Sequence, residues 1–226
     1  VVVLTEFSLK TLETYGFSPR RTVIIPAGVD IAEFDNCIEK SEFAKNSRLN
    51  ILFVGRLAYG KGLDLLLKAV KYLVSEKIDF HLNIAGPDFG DEDYCRTFIK
   101  EYNLKNHITL CGRLSRAELV KLYKSSDIFV LPSRYEAFGI VLTEAMAARL
   151  PVVSTNISSI PFVAEHEKCA YLVEPENYIE LAEKLKLLIQ NERIRRQFGD
   201  YGYELTARKF SIAKVIDSYY KLYSEF

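Results

Sequence analysis

Two hydrophobic rhythms alternate along the chain. Short, nearly unbroken apolar runs recur at residues 51–54, 80–85, 108–111, 128–131, 152–154 and 171–173. Runs of this length, rich in Ile, Val, Leu and Phe, predict strands buried on both faces. The stretches between them repeat with helical spacing. Residues 60–74 place Leu63, Leu66, Leu67, Val70 and Leu73 on one face, which predicts a helix. Further helices are predicted over 92–102, from Ser115, from Gly139, and over 177–190, 192–208 and 212–224. Ser115 carries Glu118 three residues on, the spacing of a capping box. Strand–helix alternation with near-continuous apolar strands predicts an α/β fold, a doubly wound, Rossmann-like parallel sheet covered on both faces.

The opening residues follow a different plan. Residues 1–4 read as the tail of a buried strand. Thr5 and Ser8 can cap a short helix through Tyr15, closed by Gly16. Residues 22–25 read as a strand ended by Pro26, and Gly28-Val29-Asp30 as a turn. Residues 31–48 are polar and irregular, and predict a connection. The expected organisation is therefore a joining segment over 1–48, a sheet domain over 49–208 and a terminal helix over 209–226. That helix carries Val215, Ile216, Tyr219, Tyr220, Leu222 and Tyr223, more apolar surface than one buried face requires. It reads equally well as a core helix or as a partner surface.

Composition narrows the function. Of 226 residues, 49% are hydrophobic, enough for a sizeable core. Lys+Arg and Asp+Glu stand at 30 each, which gives no electrostatic case for nucleic acid or a strongly anionic membrane. No apolar run reaches the roughly 18 residues of a membrane span, and no secretory leader pattern appears. Cys37, Cys95, Cys111 and Cys169 show no C-x-x-C spacing and predict reduced, buried thiols in a reducing compartment, the cytoplasm. The three scattered histidines speak against a zinc site. Val1 lies in an apolar run and the only Met is Met146, so the chain is expected to lack the start of its natural product.

Two stretches carry candidate chemistry. The first is Gly55-Arg-Leu-Ala-Tyr-Gly60-Lys61-Gly62, between a predicted strand and helix. It falls one residue short of a phosphate loop, because Gly62 stands where a magnesium-binding hydroxyl belongs. A glycine-rich turn with two solvated cations is the plain reading. The sharper reading is that Arg56 and Lys61 grip a diphosphate directly, neutralising it with no metal. The second stretch is SRYEAFGIVLTEAMA, residues 133–147. It predicts a strand end, a tight loop and a helix from Gly139. The first N–H groups of that helix, near Phe138 and Ile140, form a ready anion site. Glu136 and Glu144 flank it, and carboxylates accept from the paired hydroxyls in which sugars are rich. Glu144 has apolar neighbours and therefore needs partners. A pair of hydrolytic carboxylates is an alternative, but a phosphate grip would be superfluous in a hydrolase of neutral sugars. Arg113-Leu114 ends another strand on the same rim, where backbone could meet a nucleotide base. The loop over 161–167, with Glu165 and His166, reads as surface.

G-R-L-x-x-x-K-G after a strand, P-S-x-x-E-x-F-G-x-x-x-x-E-A-M-A and the following P-V-V-S resemble the donor-binding half of retaining glycosyltransferases with the GT-B fold. The branch resembled is the large E-x7-E family that includes glycogen and sucrose synthases. T-E-F-S near the start and G-V-D-x-x-x-F resemble the stretch joining that family's two domains. The resemblance implies a C-terminal GT-B half that binds a nucleoside diphosphate sugar without cofactor or metal, and partners an N-terminal acceptor-binding domain. It further implies that Gly55, Arg56 and Lys61 lie at the diphosphate, and that Glu136 contacts sugar hydroxyls. The backbone of Phe138, Gly139 and Ile140 would bind sugar and phosphate oxygens, Glu144 would hold the ribose diol, and Arg113 and Leu114 would lie against the base. The terminal helix would cross back to the N-terminal domain. Three positions depart from the pattern: Ser158-Ser159-Ile160-Pro161-Phe162 replaces a Gly-Gly-x-x-Glu loop, Ala27 a common Asn, and Arg149-Leu150 a glycine turn. A non-catalytic nucleotide-sugar-binding subunit and a phosphate-loop nucleotidase remain as alternatives.

Overall fold

The computed structural model describes residues 1–44 and 48–225. Six parallel strands form one sheet: β3 (Asn50–Val54), β4 (His81–Ala85), β5 (Ile108–Gly112), β6 (Ile128–Leu131), β7 (Val152–Thr155) and β8 (Ala170–Val173). Their order across the sheet is β5-β4-β3-β6-β7-β8. Every residue of β3, β4, β6, β7 and β8 is buried, while the edge strand β5 is buried only at Ile108. The doubly wound α/β sheet expected from the apolar runs is the fold observed. Two groups of helices cover it. The helix α3 (Leu63–Ser75) packs on α4 (Glu92–Glu101) and α8 (Tyr178–Gln190). The helix α2 (Ile31–Asp35) packs on α5 (Arg116–Lys124) and α6 (Ile140–Ala147), and α6 packs on α9 (Glu192–Lys209).

Ahead of the sheet lie β1 (Val2–Val3), α1 (Glu6–Thr14) and β2 (Val23–Ile24), with β1 and β2 paired in parallel. Thr5 caps α1 by accepting from the Ser8 N–H at 3.1 Å. Residues 1–4 are not a buried strand throughout: Val1 and Val2 are exposed and Val3 alone of the strand is buried. The stretch over 31–48 is not all irregular either. Asp30 accepts from the Ala32 N–H at 3.0 Å and starts α2, whose Phe34 is fully buried in the main core. Five residues are too few for a helical period to show, and so the sequence pattern passes over them. Residues 45–47 of that predicted connection lie outside the described residues, as does Phe226 at the end of the predicted terminal helix. That helix, α10 (Ile212–Tyr223), buries Val215 and Leu222 while Ile212, Ile216, Tyr220 and Tyr223 stay exposed. Among the described residues no helix is long and apolar enough to cross a membrane.

Two helix boundaries also differ from expectation. The helix after β3 begins at Leu63 and not at Gly60, because Tyr59–Lys61 form a 3-10 turn and Gly62 adopts φ +69°. A short helix, α7 (Ile160–Val163), runs into the predicted loop over 161–167, with Ser159 at its N-cap position and no side-chain capping bond. Arg149, at the position of the missing glycine turn, adopts φ 61°. Its strain is offset by a bond to Asp200 at 2.8 Å and by stacking over the Tyr203 ring at 3.8 Å.

Gly62 lies at a close approach of two loops. A Cβ there would lie 1.9 Å from the Pro132 carbonyl oxygen, whereas one at Gly60 would meet nothing within 4 Å. Gly62→Ala is expected to destabilise the fold by about 2–4 kcal/mol through left-handed strain plus overpacking. Gly60→Ala should change it by less than about 0.5 kcal/mol. Urea unfolding of the pair checks the contrast. Cys95 and Cys169 are buried, and burial pushes their thiols up to about 12 and about 11. The expectation of four buried thiols fails at Cys37 and Cys111, which are half-buried, and none of the four is in a disulfide. A thiol-reactive disulfide reagent at pH 8 should therefore label two cysteines in the folded chain and four after unfolding.

Candidate functional site

The strand order creates the site. From β3 the chain adds β4 and β5 on one side, then returns to add β6 on the other. The pairings Ile51 with Ile128 and Leu52 with Phe129 place the carboxyl ends of β3 and β6 side by side. Ligands of open α/β sheets bind in the crevice outside the strand ends at such a reversal. Gly55–Gly62 is the loop after β3 and residues 132–139 are the loop after β6. They are fastened together: the Arg134 N–H donates to the Gly60 carbonyl at 2.9 Å, and Gly62 lies against Pro132. The loop after β4 joins them, with Gly86 pressed on the Gly55 carbonyl and the Leu57 N–H donating to the Pro87 carbonyl at 2.9 Å. The end of β6 is held by Thr155, whose hydroxyl donates to the Ser133 carbonyl at 2.5 Å.

On the β6 side, two of the predicted charges meet. Lys61 Nζ donates to Glu136 Oε1 at 2.5 Å, and the Ser133 hydroxyl donates to the same oxygen at 2.9 Å. Glu136 is 7% exposed. Lys61 therefore balances a buried carboxylate here and is not a solvated cation. Arg56 is exposed, with its guanidinium 5.1 Å from the centre of the Phe89 ring. Gly139, at φ +84°, turns the chain into α6, whose first N–H groups have no acceptor within the helix. Phe138 is buried edge-on to Phe210 at 5.8 Å, and Ile140 is exposed.

Glu144 is 8% exposed inside α6 and has the partners its apolar neighbours demand. The Tyr123 hydroxyl donates to Oε2 at 3.0 Å, and Arg116 Nη1 donates to Oε1. Arg116 also donates to Glu33 Oε2 from Nε at 3.0 Å and from Nη2 at 2.5 Å. Burial pulls the Arg116 guanidinium down, but its bonds to Glu33 and Glu144 outweigh that and raise it. Burial and the neighbouring Glu144 push the Tyr123 phenol well above its ordinary value, so it remains a donor.

At the ends of β3, β4 and β5 lies a cleft of about 230 Å³ lined by Gly55, Arg56, Gly86, Pro87, Arg113 and Leu114, among others. Four predicted residues thus share one wall. Lys61 connects the two regions, because its Cγ lies 3.7 Å from where a Cβ on Gly55 would sit. The phosphate-loop alternative loses its footing on the geometry, since any side chain at position 62 would strike Pro132. Among the described residues no group of three or more His, Cys, Asp or Glu is placed to hold a metal ion.

Several residues of the site escape a reading of the sequence. Arg134 donates to Asp64 at 2.8 and 3.1 Å, to Glu176 at 2.7 and 2.9 Å and to the Tyr59 carbonyl at 2.7 Å. It also stacks on the Tyr59 ring at 3.8 Å. It is the strut between the two loops, and no local pattern signals it. Burial pushes Asp64 up, but the Arg134 bonds outweigh that and hold it below the ordinary carboxylate range. Arg116 does leave a signal: a cation in the first turn of a helix opposes the dipole, so it needs an acid elsewhere. The Ser158–Phe162 departure has a structural role, because Ser159 donates its hydroxyl to the Ala137 carbonyl at 2.7 Å and its N–H to the Glu136 carbonyl at 3.4 Å. His166 accepts the Leu172 N–H at 3.0 Å and stands outside the crevice as a surface group.

Known proteins share this fold. The family model described as glycosyl transferases group 1 matches residues 35–205. A Haemophilus influenzae relative, an uncharacterized glycosyltransferase, is 30% identical over 220 residues, covering 97% of this chain and 59% of that protein. The C-terminal domain of a glycosyl transferase group 1 family protein from Francisella tularensis superposes with a TM-score of 0.71 at 26% identity. The match covers 82% of this chain and 100% of that one. Anabaena HepE, solved with UDP and glucose, superposes with a TM-score of 0.85 at 20% identity, over 100% of this chain and 63% of its own. These neighbours carry the GT-B fold, of which the present chain corresponds to the C-terminal half. The chain spans about half the length of the curated relatives it matches. It belongs to the glycosyl transferases group 1 family.

Proposed function

We propose that this chain is the donor-binding half of a retaining glycosyltransferase that takes a sugar from a nucleoside diphosphate sugar. The observation that carries the reading is the Lys61–Glu136 pair, set at the strand-order reversal beside the first turn of α6. A cation and a carboxylate side by side at a helix N-terminus suit a ligand with adjoining anionic and hydroxyl-bearing parts. UDP in a structural neighbour is consistent with a nucleoside diphosphate as that ligand.

In this reading the diphosphate lies across Arg56, Lys61 and the N–H groups of Phe138, Gly139 and Ile140. The bond from the anomeric carbon to the diphosphate oxygen breaks, and its electron pair goes to the diphosphate. The two cations and the helix N-terminus stabilise that charge where it develops. The acceptor hydroxyl oxygen bonds to the anomeric carbon on the same face and passes its proton to the departing diphosphate oxygen, which gives retention. Glu136 accepts hydroxyl groups of the transferred sugar, and the ligand takes over part of the bonding that Lys61 and Ser133 give it in the free chain. Glu144 holds the ribose diol, and the cleft at Arg113 and Leu114 takes the base. The acceptor site belongs to an N-terminal partner domain, and the exposed apolar residues of α10 are the surface that would meet it.

Arg56→Ala and Lys61→Ala are each expected to weaken binding of a nucleoside diphosphate by about 10- to 100-fold, the worth of one charge-assisted contact. Glu144→Ala should weaken it comparably through the ribose. Calorimetry checks all three, and unchanged affinity across the set would refute the site. Nucleoside diphosphate sugars should also raise the melting temperature of the chain by mass action, while the chain alone transfers no sugar efficiently. Robust transfer to an added acceptor would remove the need for a second half.

A further inference from the structure

Glu144 is held from two directions, and both holds depend on α2. Its Oε2 accepts from Tyr123, which is fully buried, and its Oε1 accepts from Arg116. Neither donor is placed by α5 alone. Arg116 is bonded by Glu33 through two of its nitrogens and lies 5.4 Å from the centre of the Phe34 ring. Tyr123 meets the same Phe34 ring edge-on at 5.8 Å. Glu33 and Phe34 are adjacent residues of a five-residue helix that is capped by Asp30. That helix is tied in turn to the start of α10, through the Val29 N–H to the Phe210 carbonyl at 2.8 Å and the Ile212 N–H to the Val29 carbonyl at 2.9 Å.

We propose that Tyr123 and Arg116, supported by Glu33 and Phe34 of α2, are positioning residues that orient the Glu144 carboxylate to receive the ribose diol. The proposal rests on the donor-binding reading above. A carboxylate has about four acceptor positions. One donor on each oxygen fixes the plane of the group and leaves a position on each oxygen for one of two neighbouring hydroxyls. A side chain free to rotate would lose that pairing for most of its time, and binding would then pay for reordering it. Tyr123 and Arg116 touch no part of the ligand in this scheme. Their effect reaches it through Glu144 alone.

This makes a distinction that a merely structural role would not make. The affinity ratio between a ribonucleoside diphosphate and its 2′,3′-dideoxy counterpart isolates the diol from the base and the diphosphate. Calorimetry with UDP and ADP, each paired with its dideoxy form, is the test. Wild-type chain should favour the ribose form by about 10-fold or more, the scale of hydrogen bonds to a charged group. Tyr123→Phe keeps the ring and its packing, and Arg116→Met keeps most of the stem at a partly exposed position. Each should lower the ratio at least about threefold, mainly by weakening the ribose form, with dideoxy affinity little changed. Glu144→Gln should lower it furthest. A ratio that persists in both Tyr123→Phe and Arg116→Met overturns the proposal, as does tighter ribose binding in either. Equal affinities for ribose and dideoxy forms in the wild type overturn it while leaving the diphosphate site standing. Failure of the wild type to bind either diphosphate overturns both readings.

Discussion

A carboxylate taken out of water must be given hydrogen-bond donors. Two such groups, Glu136 and Glu144, sit eight residues apart on either side of the turn into α6. Much of the surrounding architecture can be understood as the supply of those donors. Lys61 arrives from the loop after β3 and Ser133 from the end of β6. Tyr123 and Arg116 arrive from α5, and Arg116 brings a further acid, Glu33, from α2. Lys61, Tyr123 and Arg116 each reach their acceptor from another element, so the two acids draw distant parts of the chain onto one rim of the sheet. Removing either partner would strand a nearly buried charge, at a cost of about 1–3 kcal/mol or more.

The strands and the two chemistry-bearing stretches were legible because each is a local pattern. Buried strands are unbroken apolar runs, glycines mark the turns, and the spacing of Arg56, Lys61, Glu136 and Glu144 can be read within a window of a few residues. What was not legible is pairing at a distance. Arg134 and Asp64 lie 70 positions apart, and Arg116 and Glu33 lie 83 apart. No periodicity records such a contact. The same limit explains Lys61: the sequence shows a cation after a glycine, and only the fold shows that Glu136 is waiting for it. The short helices α2 and α7 escaped for a simpler reason, since four or five residues complete little more than one turn.

The glycines show where backbone, not side chain, sets the limits. Gly62 and Gly86 let three loops approach at the ends of neighbouring strands without a Cβ between them. The departures at Arg149 and at Ser158–Phe162 show the opposite case. There, side chains occupy conformations or places where glycine would be easier, and they are held by named bonds to Asp200, Tyr203 and the backbone behind Glu136.

The pairing of β3 with β6 brings residues such as Ile51 and Ile128 together across more than seventy positions. The strands β3, β4 and β5 are close in sequence and can assemble with modest loop closure, but the Lys61–Glu136 pair requires β6 beside β3. Loop-closure entropy must be met before that contact returns anything. The Lys61–Glu136 contact therefore depends on closing a separation of 75 positions. The cleft at Gly55 and Arg113 draws its lining from positions 54–119, ahead of β6, so the rim joins a wall closed at shorter range to one that only long-range pairing supplies.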